Sequence, residues 1–304
     1  MNLFRRFPVT LLFPVALLGA MLSFHSQHAI VCGQEKAATK PAKKEDLKFV
    51  RVSKEDKTPL ALQTAVVKYK SDSKETEGVE VTLIGAVHIA EKSYYEDLNK
   101  LFTEYDALLY EMVSDPKQGV PAPNERGSSP ISTVQVGMKD ILELTFQLDE
   151  VDYKAKNFVH ADMSPEEFFD SMNKRKEGVF KMFLRSVGSG LAMQGAGKSN
   201  DLDVITAMLS QKRSKGLKLA MAEQFEMMDG QMAALQGEDG RSTLITERNA
   251  KAFKVLGEQI KAGKKKIGIF YGAGHLEDMH QRLLDEHRMQ PVETKWMDAW
   301  DLKQ

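Results

Sequence analysis

Two stretches of the chain share one pattern of apolar and polar positions. Residues 81–88 read VTLIGAVH and residues 268–275 read GIFYGAGH, so each apolar run ends in Gly-x-x-His. A segment with helical spacing follows each run. A buried strand, a glycine turn and a helix together make the βα unit of an α/β fold. The pattern therefore predicts that His88 and His275 lie at the carboxyl ends of parallel strands, where α/β folds bind their ligands.

Alternating apolar and polar residues come before the first motif and again at the end of the chain. They occur at 49–52, 60–70 and 79–85, and then at 291–302. Alternation of this kind is typical of half-buried strands. The first three segments therefore predict an antiparallel meander that leads into the first motif, and the last predicts an edge strand.

A helix at 91–104 and a second buried strand at 107–113 are predicted after the first motif. The two strands and the helix between them form a β-α-β unit, whose crossover is right-handed and whose strands are parallel. Parallel strands end at the same edge of a sheet. The pattern therefore places Glu111 beside His88.

Helical spacing dominates the middle of the chain. Residues 133–241 are predicted as a helical insertion between the two halves of the core, and Ser164 followed by Pro165 marks a helix start within it. The Pro/Gly/Ser-rich stretch 114–132 before it predicts a loop of the length that lids have. The predicted fold class is α/β, with a mixed, mostly parallel central sheet and an inserted all-helical subdomain.

The amino terminus has the pattern of a targeting segment. Two arginines precede an apolar run at 9–22, and small residues follow, so residues 1–33 are predicted to be a signal peptide. The apolar run is shorter than the roughly 20 residues of a membrane span. Residues 34–46 are polar and lysine-rich and predict a disordered linker before a domain at 47–304. We expect a secreted or periplasmic protein, without a membrane span once the leader is cleaved and membrane-anchored if it is retained.

The composition excludes several classes of protein. The 304 residues are enough to bury a full core, and the formal net charge of −1 gives no electrostatic reason to expect a nucleic-acid partner. The single cysteine, Cys32, lies in the predicted leader, which excludes cysteine nucleophiles, cysteine-ligated metals and disulfides from the mature domain. A peptide or a small molecule is the expected partner.

Two neutral imidazoles and a carboxylate are a common ligand set for a hydrolytic metal ion. His88, Glu111 and His275 are therefore predicted to hold a divalent metal, with Glu111 also a candidate catalytic group. The ion would lower the pKa of a bound water and polarise a carbonyl. Manganese, cobalt and zinc all suit this ligand set. The alternative is that each histidine is only a turn or helix-cap residue.

A helix predicted at 242–262 carries two further candidates, Arg248 and Asn249. Asn249 falls on the apolar face of this helix and Arg248 lies next to that face. A buried polar group needs a partner, which a pocket carboxylate or a reaction oxyanion supplies. A structural hydrogen bond to a neighbouring loop is the alternative.

His160 and Asp162 follow a short predicted strand, and their side chains share one face in extended geometry. They are candidates for additional metal ligands or for a general-base pair. A capping or loop role is the alternative for both. Three glycines of the motifs are predicted to provide positive φ angles and close backbone approach at the strand ends. They are Gly85, Gly272 and Gly274.

These motifs resemble the TraB/PrgY/TIKI family, part of a wider set with erythromycin-esterase-like and ChaN-like proteins. The matching features are GAVH at 85–88, Glu111 in YEM, ERN at 247–249 and GAGH at 272–275. The resemblance covers roughly residues 79–285. It implies a fold like that of these proteins, with the GxxH histidines and the glutamate in the active site. TIKI-like members are implied to be metal-dependent proteases, and others are known as inhibitors of peptide signals.

The first functional hypothesis is an exported metal-dependent hydrolase, similar to a peptidase, that cleaves a peptide or another amide. The second is a non-enzymatic extracytoplasmic binder or inhibitor of a peptide signal or other small ligand. The third is an esterase-type hydrolase. Binding that survives the loss of metal and of His88 would indicate the binder, whereas turnover that does not survive would indicate a hydrolase.

Overall fold

The computed structural model describes only part of the chain, namely residues 47–71, 73, 76–115, 142–177, 213–229 and 240–303. The predicted leader and linker, nearly all of the predicted loop at 114–132 and much of the predicted insertion lie outside these ranges. Within them, no helix has both the length and the apolar character to cross a bilayer.

Strands and helices alternate along the described ranges. In chain order the strands are β1 (Val50–Glu55), β2 (Thr58–Ser71), β3 (Glu80–Ala86), β4 (Ile89–Ala90), β5 (Ala107–Tyr110), β6 (Thr145–Phe146), β7 (Phe158–His160), β8 (Lys266–Gly272) and β9 (Met289–Asp301). The α-helices are α1 (Lys92–Phe102), α2 (Gln147–Glu150), α3 (Pro165–Lys174), α4 (Arg213–Asp229), α5 (Arg248–Lys261) and α6 (Leu276–Asp285). A π-helix, Thr243–Glu247, precedes α5, and a 3₁₀ turn, Ala273–His275, precedes α6.

The central sheet joins an antiparallel half to a parallel half. Its order is β1-β2-β3-β8-β5-β7, and β9 also pairs with β2. Pairing is antiparallel from β1 to β3 and between β2 and β9, and it is parallel from β3 through β8 and β5 to β7. The α/β class with a mixed sheet is therefore confirmed, as are the antiparallel meander and the final strand.

β8 lies between β3 and β5 and pairs with both in parallel. The predicted crossover through α1 is thus parallel, but its two strands are not neighbours. Every residue of β8 after Lys266 is buried, as expected for a strand covered by other elements on both faces. The ends of β3, β8 and β5 consequently stand side by side at one edge.

β7 changes the prediction for residues 133–241. It pairs in parallel with β5 and so belongs to the central sheet, which means that this stretch is not helical throughout. The short strand predicted before His160 and Asp162 is β7, which ends at His160. The predicted helix start is correct, because α3 begins at Pro165 and the Ser164 hydroxyl accepts a hydrogen bond from the Glu167 N–H. A helical subdomain within 133–241 stays a prediction, but β6 and β7 show that the described part of this stretch is not all-helical.

Apolar side chains fill both faces of the sheet. On one face α1 packs its residues Tyr94, Leu98 and Phe102 against the strands. On the other face α5 and α6 contribute Leu256 and Leu283. Because successive side chains of a strand point to opposite faces, the central strands feed both cores. This packing holds the strand ends in place.

Candidate functional site

Three predicted residues converge at the end of β8. His88 follows β3 by two residues, Glu111 comes directly after β5, and His275 ends the turn after β8. A Cβ atom placed on Gly272 would lie 3.1 Å from Glu111 Oε2, 3.7 Å from His88 Nε2 and 3.9 Å from His275 Cδ2. The insertion of β8 between the other two strands therefore brings all three side chains around one point.

Glu111 is an ionised carboxylate beneath this point, with its side chain 7% exposed. Oε2 accepts a hydrogen bond of 2.6 Å from the Gly272 N–H, and Oε1 accepts one of 2.7 Å from Arg248 Nη2. Burial by itself would raise the pKa of this carboxyl, but the positive charge of Arg248 and the Gly272 N–H outweigh burial. The pKa of Glu111 is consequently held well below its usual range.

Arg248 is a buried cation held between two carboxylates. It donates from Nε to Asp162 Oδ1 over 2.9 Å and from Nη2 to Asp162 Oδ2, in addition to its bond with Glu111. Burial opposes the charge, but Asp162 and Glu111 outweigh it and raise the pKa of Arg248. The sequence left a pocket carboxylate, a reaction oxyanion or a loop as the partner of Arg248, and the structure shows two carboxylates, Glu111 and Asp162.

His275 is fully buried and neutral. Asn249 Nδ2 donates to the His275 carbonyl (3.0 Å) and to Asp278 Oδ2 (2.9 Å), which orients Asn249 Oδ1 towards His275 Nδ1 at 2.7 Å. Nδ1 therefore carries the hydrogen, and Nε2 is the acceptor nitrogen, 3.3 Å from Arg248 Nη1. Burial, ahead of the charge of Arg248, lowers the pKa of His275 to about 4. Asn249 thus makes structural hydrogen bonds to the turn of His275, which is the alternative to an oxyanion contact.

His88 is the solvent-exposed member of the group. Its Nδ1 lies 3.1 Å from Oε1 of the buried Gln147, and its carbonyl accepts a hydrogen bond from the Gln147 N–H. The short sheet of β4 and β6 brings these two residues together. Sequence reasoning missed Gln147, and it had no signal to use, because the residue stands 59 positions from His88 on a single helical turn.

The helix predicted at 242–262 begins differently from its prediction. Its first turn is the π-helix, which the Ser242 hydroxyl caps by accepting from the Ile245 N–H. A π turn holds more residues than an α turn and is frequent at functional sites. It leads directly into Arg248 and Asn249, which are adjacent in sequence and both buried, and both contact the site.

The additional pair predicted at His160 and Asp162 has separate partners. His160 Nε2 lies 2.7 Å from the Met112 carbonyl, whereas Asp162 is buried against Arg248. Asp162 thus belongs to the central cluster through the guanidinium. His160 has the loop contact that the sequence left as its alternative.

The three motif glycines do not have the predicted positive φ. Gly272 has φ −50°, Gly85 lies within β3, and Gly274 lies in the 3₁₀ turn. The predicted close approach does occur at two of them. A Cβ on Gly85 would lie 3.2 Å from the Ala65 carbonyl oxygen, and one on Gly272 would meet Glu111. The strand ends thus need glycine for space and not for a left-handed backbone.

The predicted metal ligands have suitable chemistry but a different arrangement. The acceptor nitrogen of His275 lies 3.3 Å from Arg248 Nη1 and 3.6 Å from Glu111 Oε1. Both oxygens of Glu111 already accept hydrogen bonds. In the part of the chain that the structure describes, no three His, Cys, Asp or Glu side chains are grouped so that they could hold a metal ion. The predicted metal stays a prediction.

The features above define an α/β protein with a buried charged cluster at the carboxyl edge of a mixed sheet, and with one exposed histidine above that cluster. No protein-family model, no curated protein and no solved structure matches the chain. The resemblance to the TraB/PrgY/TIKI family therefore depends on the motifs alone and stays a prediction.

Proposed function

We propose that the chain is a hydrolase that cleaves an amide bond, such as a peptide bond, in the site lined by Gly272, Glu111 and His88. The observation that carries the proposal is the pairing of an exposed imidazole with a buried, ionised carboxylate. A Cβ on Gly272 would lie within 4 Å of both His88 Nε2 and Glu111 Oε2, so the two groups line the same site. An imidazole near an anion is suited to accept a proton from water and then to hold the positive charge.

The reaction follows from the positions of these two groups. The oxygen of a water molecule attacks the carbonyl carbon of the substrate while His88 Nε2 takes the proton of that water. The carbon–nitrogen bond of the amide then breaks, and His88 returns the proton to the departing nitrogen. The negative charge of Glu111 favours the imidazolium between these two steps.

Arg248 and Asn249 have positioning roles in this proposal. We assign them no contact with a reaction oxyanion, because the N–H groups of Arg248 donate to carboxylates and Asn249 is bound to His275. Arg248 keeps Glu111 ionised, and Asn249 holds the neutral imidazole of His275. Because Arg248, Asn249 and His275 are buried, the exposed His88 is the group that contacts the substrate in this proposal.

The divalent ion expected from the motifs stays a prediction, with His88, Glu111 and His275 as its ligands. The steps above use proton transfer by His88 and assign no step to a metal. We also propose export, on the basis of the leader pattern at 1–33.

The test is hydrolysis by the purified chain of a fluorogenic peptide library and of a parallel panel of 4-nitrophenyl esters. The variants are His88→Gln and Glu111→Gln, and the control is His287→Gln, whose ring packs against Phe253. We expect peptide turnover that falls by about 10²–10⁴ in His88→Gln, as for the loss of a general base. The control should keep the wild-type rate.

The other outcomes separate the remaining hypotheses. Equal rates for the wild type and His88→Gln would overturn the proposal, and binding without turnover would favour the binder. Turnover of the ester panel alone would favour the esterase. Elemental analysis of the same samples reports the metal, since about one divalent ion per chain, lost with the activity on chelation, would establish the metal-dependent form.

A further inference from the structure

Gln147 and Tyr153 form a chain of hydrogen bonds behind His88. Gln147 Oε1 lies 3.1 Å from His88 Nδ1, and Gln147 Nε2 donates to the Tyr153 hydroxyl over 2.7 Å. Gln147 and Tyr153 are both buried. Because the amide nitrogen is directed to Tyr153, the amide oxygen faces the histidine and requires a hydrogen on Nδ1.

The backbone around these residues is fixed on several sides. The Gln147 N–H donates to the His88 carbonyl over 2.9 Å, and β4 pairs with β6 directly beside them. The Trp300 indole donates to the Ile89 carbonyl over 2.7 Å, and the Glu91 N–H donates to the Ala299 carbonyl over 2.9 Å. These bonds connect the loop of His88 to β9. The backbones of His88 and Gln147 are consequently held next to each other, which keeps the imidazole and the amide within reach of one another.

We propose that Gln147, supported by Tyr153, is a positioning residue that holds His88 in the tautomer with hydrogen on Nδ1. This tautomer leaves Nε2 as the acceptor nitrogen, and Nε2 is the atom that faces Gly272 and Glu111. A ring with the hydrogen on Nε2 instead could not accept a proton from water at that place. The role of Gln147 in catalysis rests on the proposed hydrolase function, whereas the tautomer of His88 does not depend on that function.

The neutral partner has a consequence for the electrostatics of the site. Gln147 orients the His88 ring through a hydrogen bond and adds no charge. The negative charge on the Nε2 side of the ring is therefore that of Glu111. An amide can act as donor or acceptor according to its orientation, so the tautomer follows from which end of Gln147 faces His88. In the proposal the Tyr153 hydroxyl accepts from Gln147 Nε2 and so leaves the amide oxygen for the ring.

The experiment measures the ring ¹⁵N chemical shifts of His88 in the purified chain at about pH 8.5, where ordinary histidines are neutral. The His88→Asn variant identifies its signals by their loss. We expect the wild type to show hydrogen on Nδ1. In Gln147→Met the ratio of the two tautomers should shift by about fivefold towards hydrogen on Nε2, the factor that the loss of one neutral hydrogen bond produces.

Two further variants keep the test decisive. Gln281→Met, on an exposed position of α6, is the matched control and should leave the ratio unchanged. Tyr153→Phe preserves the ring and removes the hydroxyl, and it should shift the ratio in the same direction as Gln147→Met. A wild-type ring with hydrogen on Nε2, or an unchanged ratio in both Gln147→Met and Tyr153→Phe, would overturn the inference. If the tautomer is as expected and no substrate is hydrolysed, the positioning role stands and the proposed function fails.

Discussion

Replacing Arg248 by methionine tests the buried cluster at its centre. The substitution keeps an unbranched side chain but removes the cation that Glu111 and Asp162 share. Both carboxylates are then left largely buried without their cation, since Asp162 is 1% exposed and the Glu111 side chain is 7% exposed. Breaking a buried ion pair by removing one partner costs about 3–5 kcal/mol, and here one cation serves two anions. We expect about 4 kcal/mol of destabilisation at pH 7.

The pH dependence of this loss has a defined sign. In the wild type the pKa of Glu111 is depressed, so its contribution to stability is present above the unfolded pKa of about 4.3 and is lost as the pH falls towards the folded value. In the variant the cation is gone and burial raises the pKa of the carboxyl instead. Acidification then protonates Glu111 and removes the cost of its buried, unpaired charge. The difference in stability between wild type and variant should therefore shrink as the pH falls from 7 to about 5.

Urea unfolding followed by circular dichroism at both pH values measures this difference. Lys251→Met is the matched control, because Lys251 is a cation on the same helix that pairs with Glu167 at the surface, where their side chains are 31% and 48% exposed. Exposed pairs contribute below about 1 kcal/mol. If Arg248→Met costs no more than Lys251→Met, or costs the same at pH 7 and pH 5, the account of the cluster is wrong.

Three further outcomes follow from the structure. Gly272→Ala places a methyl group against Glu111, so hydrolysis should fall at least tenfold by kinetic assay, whereas Gly257→Ala, in an open position of α5, should keep the activity and raise the stability by about 0.5–1 kcal/mol. The pKa of His275 is about 4 in the folded protein and about 6.5 in the unfolded chain, so the fold favours the neutral ring. Below pH 6.5 the unfolded chain takes up a proton that the folded protein does not, and the free energy of unfolding should fall by up to about 3 kcal/mol between pH 6.5 and pH 4. Urea titrations measure this fall, and His275→Gln should give a flatter profile. Ser164→Ala removes the cap of α3 and should cost about 1 kcal/mol in the same assay.

Charge pairing in the cluster explains why its members are buried together. Arg248 carries one positive charge against the two negative charges of Glu111 and Asp162, and His275 is neutral. A buried charge is tolerated only when partners and hydrogen bonds replace water. The excess negative charge lies at the end nearest His88, where Glu111 meets the point at Gly272. The cluster thus supplies a fixed anion for the exposed imidazole.

The local pattern of residues determined the elements of this protein and the edge at which its histidines lie. The strands before each GxxH motif, the helix start at Ser164 and the burial of Asn249 were all predictable, because each depends on residues within a few positions of one another. Periodicity reports which face of an element is apolar. It carries no information about which element covers that face.

Tertiary structure alone decided the partners. β8 enters between β3 and β5, Asp162 reaches Arg248 from 86 positions away, and Gln147 reaches His88 from 59. These contacts depend on strand order and on the positions of side chains from distant segments, which the whole chain settles by burying its apolar faces together. Ring orientation is decided in the same way, since Asn249 directs one nitrogen of His275 and leaves the other facing Arg248. The sequence could therefore name a histidine as a ligand candidate, but only the packed structure shows which nitrogen is available and what it faces.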